Sequence, residues 1–553
     1  ECAVYGCMGI TSFTIPSNIS IIESWAFLDC SGLLSLNVPP TVTEFGTNVF
    51  LGCNNIQTLE WNSKYSPALV AGQSYPSLKS VVLGDEVTIL LPYTFSNCTA
   101  LESVELSPNL TRISQYAFKN CNSLTSISFP SGLNFIDSDA FQGCDNIETV
   151  YWNYRDSIAM ARVLASASSN IKKVIIGKDI TCIEGRAFTG FTNLTSIEVD
   201  PANKVYDSRQ NCNAVIEKET NTLIIGCKET NIPEGVTRLE QYAFRWCGGP
   251  ESVSLPSTLL SIGSFAFSGC DGLTSLYIPK SVTDIGSGIT AYCPDITSIK
   301  VDPENRYYSS PDNCNAILYT FNNTLVAGCK ETVIPSGVRR IGDYAFEGCS
   351  GLTTLTTPAG LTDIGDFAFY GCSGLKSVDI SKGVTNVGSY AFSECIGLTS
   401  VITPTNMERI GNNAFFHCSD LSSFTIPDGI KIIERGLFSS CESIVTIEIP
   451  ASVDSIERSA FEGCMSLRSV TIPEGVTTIE DYTFYGCQSL EYLSIPSTVT
   501  NFGRYIYDNC MSLKSAGPQG GGYNFEYNWK DTIPANAFYS LYDLESVYIP
   551  KTI

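Results

Sequence analysis

The stretch that decides the fold is Ile426-Pro-Asp-Gly-Ile-Lys-Ile-Ile-Glu-Arg-Gly-Leu-Phe-Ser-Ser-Cys-Glu-Ser-Ile-Val-Thr-Ile-Glu448, because its pattern returns every 23 residues almost to the end of the chain. The counterparts of Cys441 follow the same spacing, at Cys349, Cys372, Cys395, Cys418, Cys464, Cys487 and Cys510. At 553 residues the chain is too long for one compact hydrophobic core. A fixed period of this length indicates instead an array of stacked coils.

Each repeat predicts one main strand and one shorter extended segment. Phe424 and Ile426 fall on one side of the predicted strand, and Ser423 and Thr425 fall on the other. A proline then ends the strand, a Val-Thr-x-Ile segment forms the second extended piece, and a glycine permits a tight corner. Because one coil cannot bury its apolar side alone, neighbouring coils must stack and pair their strands in parallel.

A phenylalanine three residues before the repeated cysteine predicts a stacked aromatic spine. A structural role explains this spine without any cofactor. Its members are Phe27, Phe50, Phe95, Phe118, Phe141, Phe188, Phe244, Phe267, Phe346, Phe369, Phe392, Phe415, Phe438, Phe461, Phe484 and Phe538.

The repeating unit, Ile-Pro-x-x-Val-Thr-x-Ile-Gly-x-x-Ala-Phe-x-Gly-Cys-x-x-Leu-x-Ser-Ile-x-Ile-Pro, resembles the BspA-like leucine-rich repeat over nearly the whole chain. The resemblance implies an α/β-type, strand-rich leucine-rich-repeat solenoid, a right-handed curved superhelix with a parallel β-sheet. We expect a single solenoid over residues 1–553, and because both ends stand in mid-repeat we expect it to be cut from a longer protein.

Five segments break the period. Residues 60–75 and 151–170 are predicted to be irregular or helical insertions, with a short helix between Ile158 and Ala167. Residues 199–230 and 301–332 match each other closely, and each is predicted to contain a β-hairpin. We name them the first arm and the second arm. Residues 517–530 form a glycine-rich and aromatic insertion.

Seventeen of the 23 cysteines share the single repeat slot, which we call the cysteine ladder. Side chains stacked about 4.8 Å apart in parallel are badly placed to form disulfides, so we expect buried free thiols. In the arms, Cys212 and Cys227 lie symmetrically about a predicted turn, as do Cys314 and Cys329. We hypothesise one cross-strand disulfide in each arm.

Charge and composition exclude several classes of function. The net charge of −23 argues against nucleic-acid binding, and no apolar run is long enough to span a bilayer. The one histidine, His417, is expected at the surface. The sequence therefore predicts no cofactor, no metal site and no catalytic residue.

The outward side of the main strands is predicted to be broad, shallow and polar, which suits contact with a macromolecule better than enclosure of a small substrate. Tyr151, Tyr277 and Lys300 are the candidate interaction residues on this side. A second candidate group, for which packing against a neighbouring coil is the alternative, is the alternating set Tyr523, Phe525, Tyr527 and Trp529.

The resemblance implies a non-enzymatic cell-surface or secreted protein, a monomer that adheres to host extracellular-matrix proteins, cell-surface proteins or other cells. One alternative is a structural spacer that presents another domain. A glycan-active enzyme is a third reading, which the shortage of histidine and of paired acids disfavours.

Overall fold

The computed structural model describes residues 3–64, 75–155, 159–246, 249–496 and 498–517. The chain divides into two compact units, residues 1–259 and 260–553, each built from the predicted coils. Together they contain about 20 turns of parallel strands. The fold class predicted from the repeat is confirmed, whereas one domain over the whole chain stays a prediction.

The main strands pair in parallel with equivalent strands of neighbouring coils, in several successive sheets. In the first unit they are Ser12–Thr14, Ser35–Val38, Thr58–Trp61, Ser80–Leu83, Ser103–Glu105, Ser126–Phe129, Thr149–Trp152, Lys173–Ile176, Ser196–Val199 and Ser252–Val253. In the second unit they are Ser275–Ile278, Ser298–Val301, Thr354–Thr356, Ser377–Asp379, Ser400–Ile402, Ser469–Thr471, Tyr492–Ser494 and Ser515–Gly517. Between residues 402 and 469 the strand ladder continues as isolated parallel bridges.

The second strands are two residues long and also pair in parallel. In the first unit they are Ile21–Ile22, Glu44–Phe45, Ile89–Leu90, Arg112–Ile113, Phe135–Ile136 and Arg238–Leu239. In the second unit they are Ser261–Ile262, Asp284–Ile285, Arg340–Ile341, Asp363–Ile364, Asn386–Val387, Arg409–Ile410, Ile432–Ile433, Ser455–Ile456, Thr478–Ile479 and Asn501–Phe502. Most coils thus have an extended segment on two sides, as the sequence predicts.

Tight turns connect the two extended segments of a coil. In the coil that starts at Ile426, the Ile430 amide donates to the Pro427 carbonyl over 3.1 Å, and the Cys441 amide donates to the Phe438 carbonyl over 3.0 Å. Phe424 and Ile426 are buried, whereas Ser423 and Thr425 are exposed. The predicted alternation of the main strand is therefore confirmed.

The phenylalanine spine forms the centre of the coils. Its fifteen members among the described residues, from Phe27 to Phe484, are all buried. Phe369 stacks on Phe392 with centroids 5.1 Å apart and planes 2° apart, and Phe392 stacks on Phe415 at 5.4 Å and 3°. Phe538 lies outside the described residues. From Phe346 to Phe484 the spine joins each coil to the next through nearly parallel ring faces.

The position before each ladder cysteine explains the repeated glycine. Its φ angle is positive, at 69° in Gly371, 60° in Glu394 and 56° in His417. This left-handed backbone costs glycine little, because it has no Cβ, and it disfavours other residues. The turn therefore favours the consensus glycine, although Glu394 and His417 show that other residues can adopt it.

The insertion at residues 151–170 contains the predicted helix in shortened form, an α-helix at Ala159–Val163 followed by a 3₁₀ turn at Ala165–Ala167. Met160, Val163 and Leu164 are buried. Of the insertion at residues 60–75, positions 65–74 lie outside the described residues, as does the insertion at 517–530 beyond position 517.

The two arms contain the predicted hairpins and an extra leading strand. The first arm pairs Tyr206–Asp207, Ala214–Glu217 and Thr222–Gly226 in antiparallel order, and the second arm pairs Tyr308–Ser309, Ile317–Tyr319 and Thr324–Ala327 in the same way. The last strand of each arm then pairs in parallel with the second strand of the next coil. The arms therefore extend the second-strand sheets.

A buried asparagine anchors each arm. Asn305 donates from Nδ2 to the carbonyls of Pro279 and Val282, and its Oδ1 accepts the amides of Tyr307 and Tyr308, all between 2.9 and 3.0 Å. Asn203 makes the equivalent four bonds in the first arm. Each buried asparagine amide thus makes four hydrogen bonds, two from Nδ2 and two to Oδ1. This requirement explains why both arms contain the Val-Asp-Pro-x-Asn motif.

Replacing Phe392 with Ala should destabilise the chain by about 3–5 kcal/mol, because a buried phenylalanine leaves a cavity and loses two stacked neighbours. Chemical denaturation followed by circular dichroism measures this loss. Ser400→Ala, on the exposed side of a main strand, is the control and should change the free energy of unfolding by less than about 0.5 kcal/mol. Equal changes in the free energy of unfolding for the two substitutions would contradict a stabilising role for the spine.

Candidate functional site

The exposed side of the main strands carries a column of small hydroxyl side chains. Strand pairing places Ser12, Ser35, Thr58, Ser80 and Ser103 side by side in the first unit. In the second unit the column includes Thr354, Ser377, Ser400 and Ser423. Short side chains on adjacent strands leave a shallow surface, as the sequence predicts.

The neighbouring column contains the larger side chains Tyr277 and Lys300. The two lie directly beside each other on paired strands, and both are exposed. The Tyr277 hydroxyl donates to Asp302 Oδ2 over 3.0 Å, which fixes the ring over the strand face. Desolvation, and then this hydrogen bond, raise the pKa of the Tyr277 phenol. The structure thus brings these two candidate residues together.

Tyr151 occupies the equivalent column in the first unit and is half-buried. Its hydroxyl donates to Asp200 Oδ2 over 3.1 Å, and burial followed by this bond raises the pKa of its phenol. Asp200 and Asp302 are the matching aspartates that begin the two arms. Tyr151 and Tyr277 therefore each contact the root of an arm. The other candidates, Tyr523, Phe525, Tyr527 and Trp529, lie outside the described residues.

A row of surface aromatic residues was missed in the sequence. Tyr344, Phe367 and Tyr390 each stand two residues before a spine phenylalanine and have φ angles of 61°, 55° and 56°. Neighbouring rings lie 5.0 and 4.7 Å apart, with planes 7° apart in both pairs. Because the rings cover each other's faces, they offer mainly their edges to a partner. The signal was an aromatic residue recurring at this position.

The ladder thiols are bound within the fold and are poor nucleophiles. Cys441 donates from Sγ to the carbonyl of Phe415 in the preceding coil over 3.1 Å, and Cys395, Cys418, Cys464 and other ladder cysteines repeat this bond. Burial raises the pKa of Cys395 and Cys464 to about 12. Almost none of the reactive thiolate form is therefore present at neutral pH. All described cysteines are free, which confirms the expected thiol ladder for those residues.

The arm cysteines do not form the hypothesised disulfides. Cys212, Cys227, Cys314 and Cys329 are buried free thiols. In the first arm a β-bulge between Val215 and Ile216 shifts the strand register by one residue. The same bulge in the second arm lies between Ile317 and Leu318. A one-residue slip moves a side chain to the other face of the sheet, so the cysteines of each pair no longer oppose each other.

Each arm thiol has a different partner. Cys212 Sγ lies 3.8 Å from the Ser208 hydroxyl, whereas Cys227 Sγ lies 3.4 Å from the Asn213 carbonyl. The Thr230 hydroxyl donates to the same carbonyl over 2.6 Å. The second arm repeats these contacts through Ser310, Asn315 and Thr332. The Cys and Thr of the matching Cys-Lys-Glu-Thr motif therefore hold the end of each arm against the Asn213 or Asn315 carbonyl.

His417 is partly exposed, and its Nδ1 lies 2.7 Å from Glu394 Oε2 on the neighbouring coil. The surface position predicted for the histidine is confirmed. Within the described ranges, no three His, Cys, Asp or Glu side chains are grouped so that they could hold a metal ion. Those ranges also contain no helix with the length and apolarity needed to cross a membrane.

The repeats match the family model of the BspA type leucine rich repeat region in six segments, residues 1–67, 73–195, 165–212, 214–316, 316–445 and 431–553. The chain belongs to this family. The family assignment confirms the resemblance drawn from the repeat consensus. A comparison with curated proteins gives no match.

Several solved structures are similar to this BspA-type chain. A leucine-rich repeat protein from Eubacterium ventriosum is 20% identical, covering 72% of this chain and 88% of its own, with a TM-score of 0.42. A leucine rich cell surface protein from Faecalibacterium prausnitzii is 21% identical, covering 85% and 87%, with a TM-score of 0.31. The pneumococcal vaccine antigen PcpA is 13% identical, covering 87% and 86%, with a TM-score of 0.30.

Because the arm cysteines are out of register, all four should react with iodoacetamide when the chain is unfolded without reductant. Peptide mapping by mass spectrometry should find Cys212, Cys227, Cys314 and Cys329 carbamidomethylated. A sample unfolded after prior reduction is the control and should give the same map. A bridged Cys212–Cys227 peptide would show that the register of the first arm is different.

The free energy of unfolding should fall as the pH rises from about 9 towards 12. Folding raises the pKa of the Cys464 thiol from 9.0 to about 12. The protonated thiol therefore makes its full contribution to stability below about pH 9, and this contribution is lost as the pH rises through about 12. One such thiol contributes a slope of about 1.4 kcal/mol per pH unit in that window.

Cys464→Ala isolates this effect from the titrating tyrosines. Denaturation of both proteins at several pH values should give a smaller loss of stability for the variant between pH 9 and pH 12. Parallel curves for the two proteins would contradict a buried, protonated thiol at this position.

Proposed function

We propose that this chain is a non-enzymatic protein of the cell surface or extracellular space that mediates adhesion through the exposed face of its main strands. Its partners are host extracellular-matrix proteins or proteins on other cells. The adjacent pair Tyr277 and Lys300 supports this proposal, because it places an exposed aromatic ring and an exposed cation together on a shallow face.

The composition of this face favours a protein partner. Small hydroxyl side chains let another surface approach the strands closely, and aromatic residues are enriched at the centres of protein interfaces. Ile402, next to Asp379 in the same outward column, is 63% exposed and adds apolar area. A face with these properties can bury area against a macromolecule, whereas a small substrate would remain largely in solvent.

The thiols and the histidine support a non-enzymatic role. Most of the described ladder thiols are buried and donate to a backbone carbonyl, and burial raises the pKa of Cys418 and Cys441 well above the usual thiol value. His417 is paired with Glu394 on a turn. The ladder thiol next to this pair, Cys418, is buried and donates to the Phe392 carbonyl, so it is not available as a nucleophile.

The proposed location rests on family membership. Proteins that resemble BspA-type repeats are commonly secreted or cell-surface adhesins, and the acidic chain, with a net charge of −23, has a surface suited to solvent. The stacked spine is equally compatible with a spacer that presents another domain, and the binding experiment separates the two functions.

The purified 553-residue chain should bind immobilised fibronectin, fibrinogen or whole host cells in a surface plasmon resonance or cell-binding assay. Lys300→Ser and Tyr277→Ser should each weaken that binding by about tenfold, because aromatic and cationic side chains dominate many protein interfaces. Arg409→Ser is the matched control, since it removes one exposed positive charge from a second strand.

Binding that is lost in Lys300→Ser and retained in Arg409→Ser supports adhesion through the main-strand face. A chain that binds none of these surfaces is a spacer. Reducing sugar released from a glycan substrate by the purified chain, and abolished by one carboxylate substitution, would make it an enzyme.

A further inference from the structure

A cleft of about 480 Å³ lies where the second arm meets the second strands of the neighbouring coils. Asp284, Ile285, Arg340 and Asp343 line it from the coils on either side of the arm in the sequence, and Tyr308, Tyr319 and Thr324 line it from the arm. This volume lies within the range that binds small ligands. The cleft is on a different sheet from the proposed adhesion face.

The walls of the cleft present donors and acceptors in close alternation. Arg340 Nη2 donates to Asp343 Oδ1 over 2.6 Å, and Asp343 Oδ1 also accepts the Asp366 amide over 3.1 Å. On the coil that precedes the arm, Asp284 Oδ2 accepts the Ser261 hydroxyl over 3.1 Å. Both carboxylates are thus held in fixed positions and still have a second oxygen that can accept.

An aromatic surface borders the cleft. Tyr319 lines it, and its ring lies 5.5 Å from the ring of the buried Tyr308 and 5.4 Å from that of Phe321. Tyr307 extends the group, with its centroid 6.0 Å from Phe321. Phe321 is 72% exposed at the tip of the arm, which is costly for a large apolar ring in water. Phe321 packs against Tyr319, which is the ring of this group that lines the cleft beside Tyr308.

The first arm lacks this arrangement although its backbone is equivalent. A shift of 102 residues aligns Tyr307, Tyr319 and Phe321 with Val205, Glu217 and Glu219. The same shift aligns Gly342, which lines the cleft, with Glu240, whose Oε2 lies 3.5 Å from Arg238 Nε. The second arm therefore replaces three carboxylates with two aromatic rings and a glycine. These differences are not needed to hold an arm together.

We propose that the cleft of the second arm binds a neutral saccharide of about two sugar rings. Sugar hydroxyls both donate and accept, so they can satisfy Arg340, Thr324 and the free oxygens of Asp284 and Asp343. The apolar face of a sugar ring can pack on Tyr319, which Phe321 contacts from outside the cleft. Two carboxylates against one paired guanidinium disfavour an anionic ligand. This site is independent of the partner that the main-strand face binds.

Saturation-transfer difference NMR on the full chain tests the proposal with lactose, maltose, N-acetyllactosamine and chitobiose as probes. At least one of these disaccharides should bind. Tyr319→Glu, which installs the residue of the first arm, should raise its dissociation constant by about tenfold, and Phe321→Ala, which removes the ring packed against Tyr319, should raise it less. Glu219→Ala in the first arm is the matched control and should leave binding unchanged.

Sialyllactose and the dipeptide lysyl-lysine complete the set of probes. Failure of all four neutral disaccharides overturns the proposal, as does equal binding by the wild type and Tyr319→Glu. Selective binding of sialyllactose or of lysyl-lysine overturns the neutral class and assigns the cleft to an anion or a cation. Because Phe321 is exposed and Tyr319 is half-buried, thermal unfolding should show that both variants fold.

Discussion

The hydrogen bond from a ladder thiol to a phenylalanine carbonyl of the preceding coil is the constraint on which the repeat depends. The Phe415 carbonyl accepts both the Cys418 amide of its own turn and the Cys441 thiol of the next coil. The thiol is compact enough to be buried between coils and still supplies a weak donor. One carbonyl oxygen therefore takes part in both the backbone turn and the contact between neighbouring coils. This double role explains why cysteine recurs every 23 residues in the 349–510 region.

Most of the fold could be predicted because one coil contains the information for all of them. The alternation of Phe424 and Ile426 with Ser423 and Thr425 sets the strand faces, and the proline and glycine positions set the corners. The hairpins were equally visible, because apolar runs flank a polar turn. In each case the local sequence pattern and the packing of the stacked coils favour the same residues at the same positions.

The arm cysteines could not be placed in this way. Counting from the turn makes Cys212 and Cys227 symmetric, but the bulge at Val215 adds one residue to one strand. A bulge of this kind has no strong local signature, and its effect reverses the face of every residue beyond it. Among the candidate site residues, Tyr277 and Lys300 could be proposed because strand alternation places them on the outward side, whereas the cleft depends on contacts between segments far apart in the chain.

The phenylalanine spine and the strand ladders also determine how each unit responds to force. In a parallel sheet the hydrogen bonds run across the strands, that is, along the direction in which the coils stack. Tension along that direction loads the bonds and stacked rings of one coil boundary together, and loads successive boundaries in series. The weakest boundary then opens first and its neighbours keep their structure, so a tethered unit can lengthen by steps before it loses its fold.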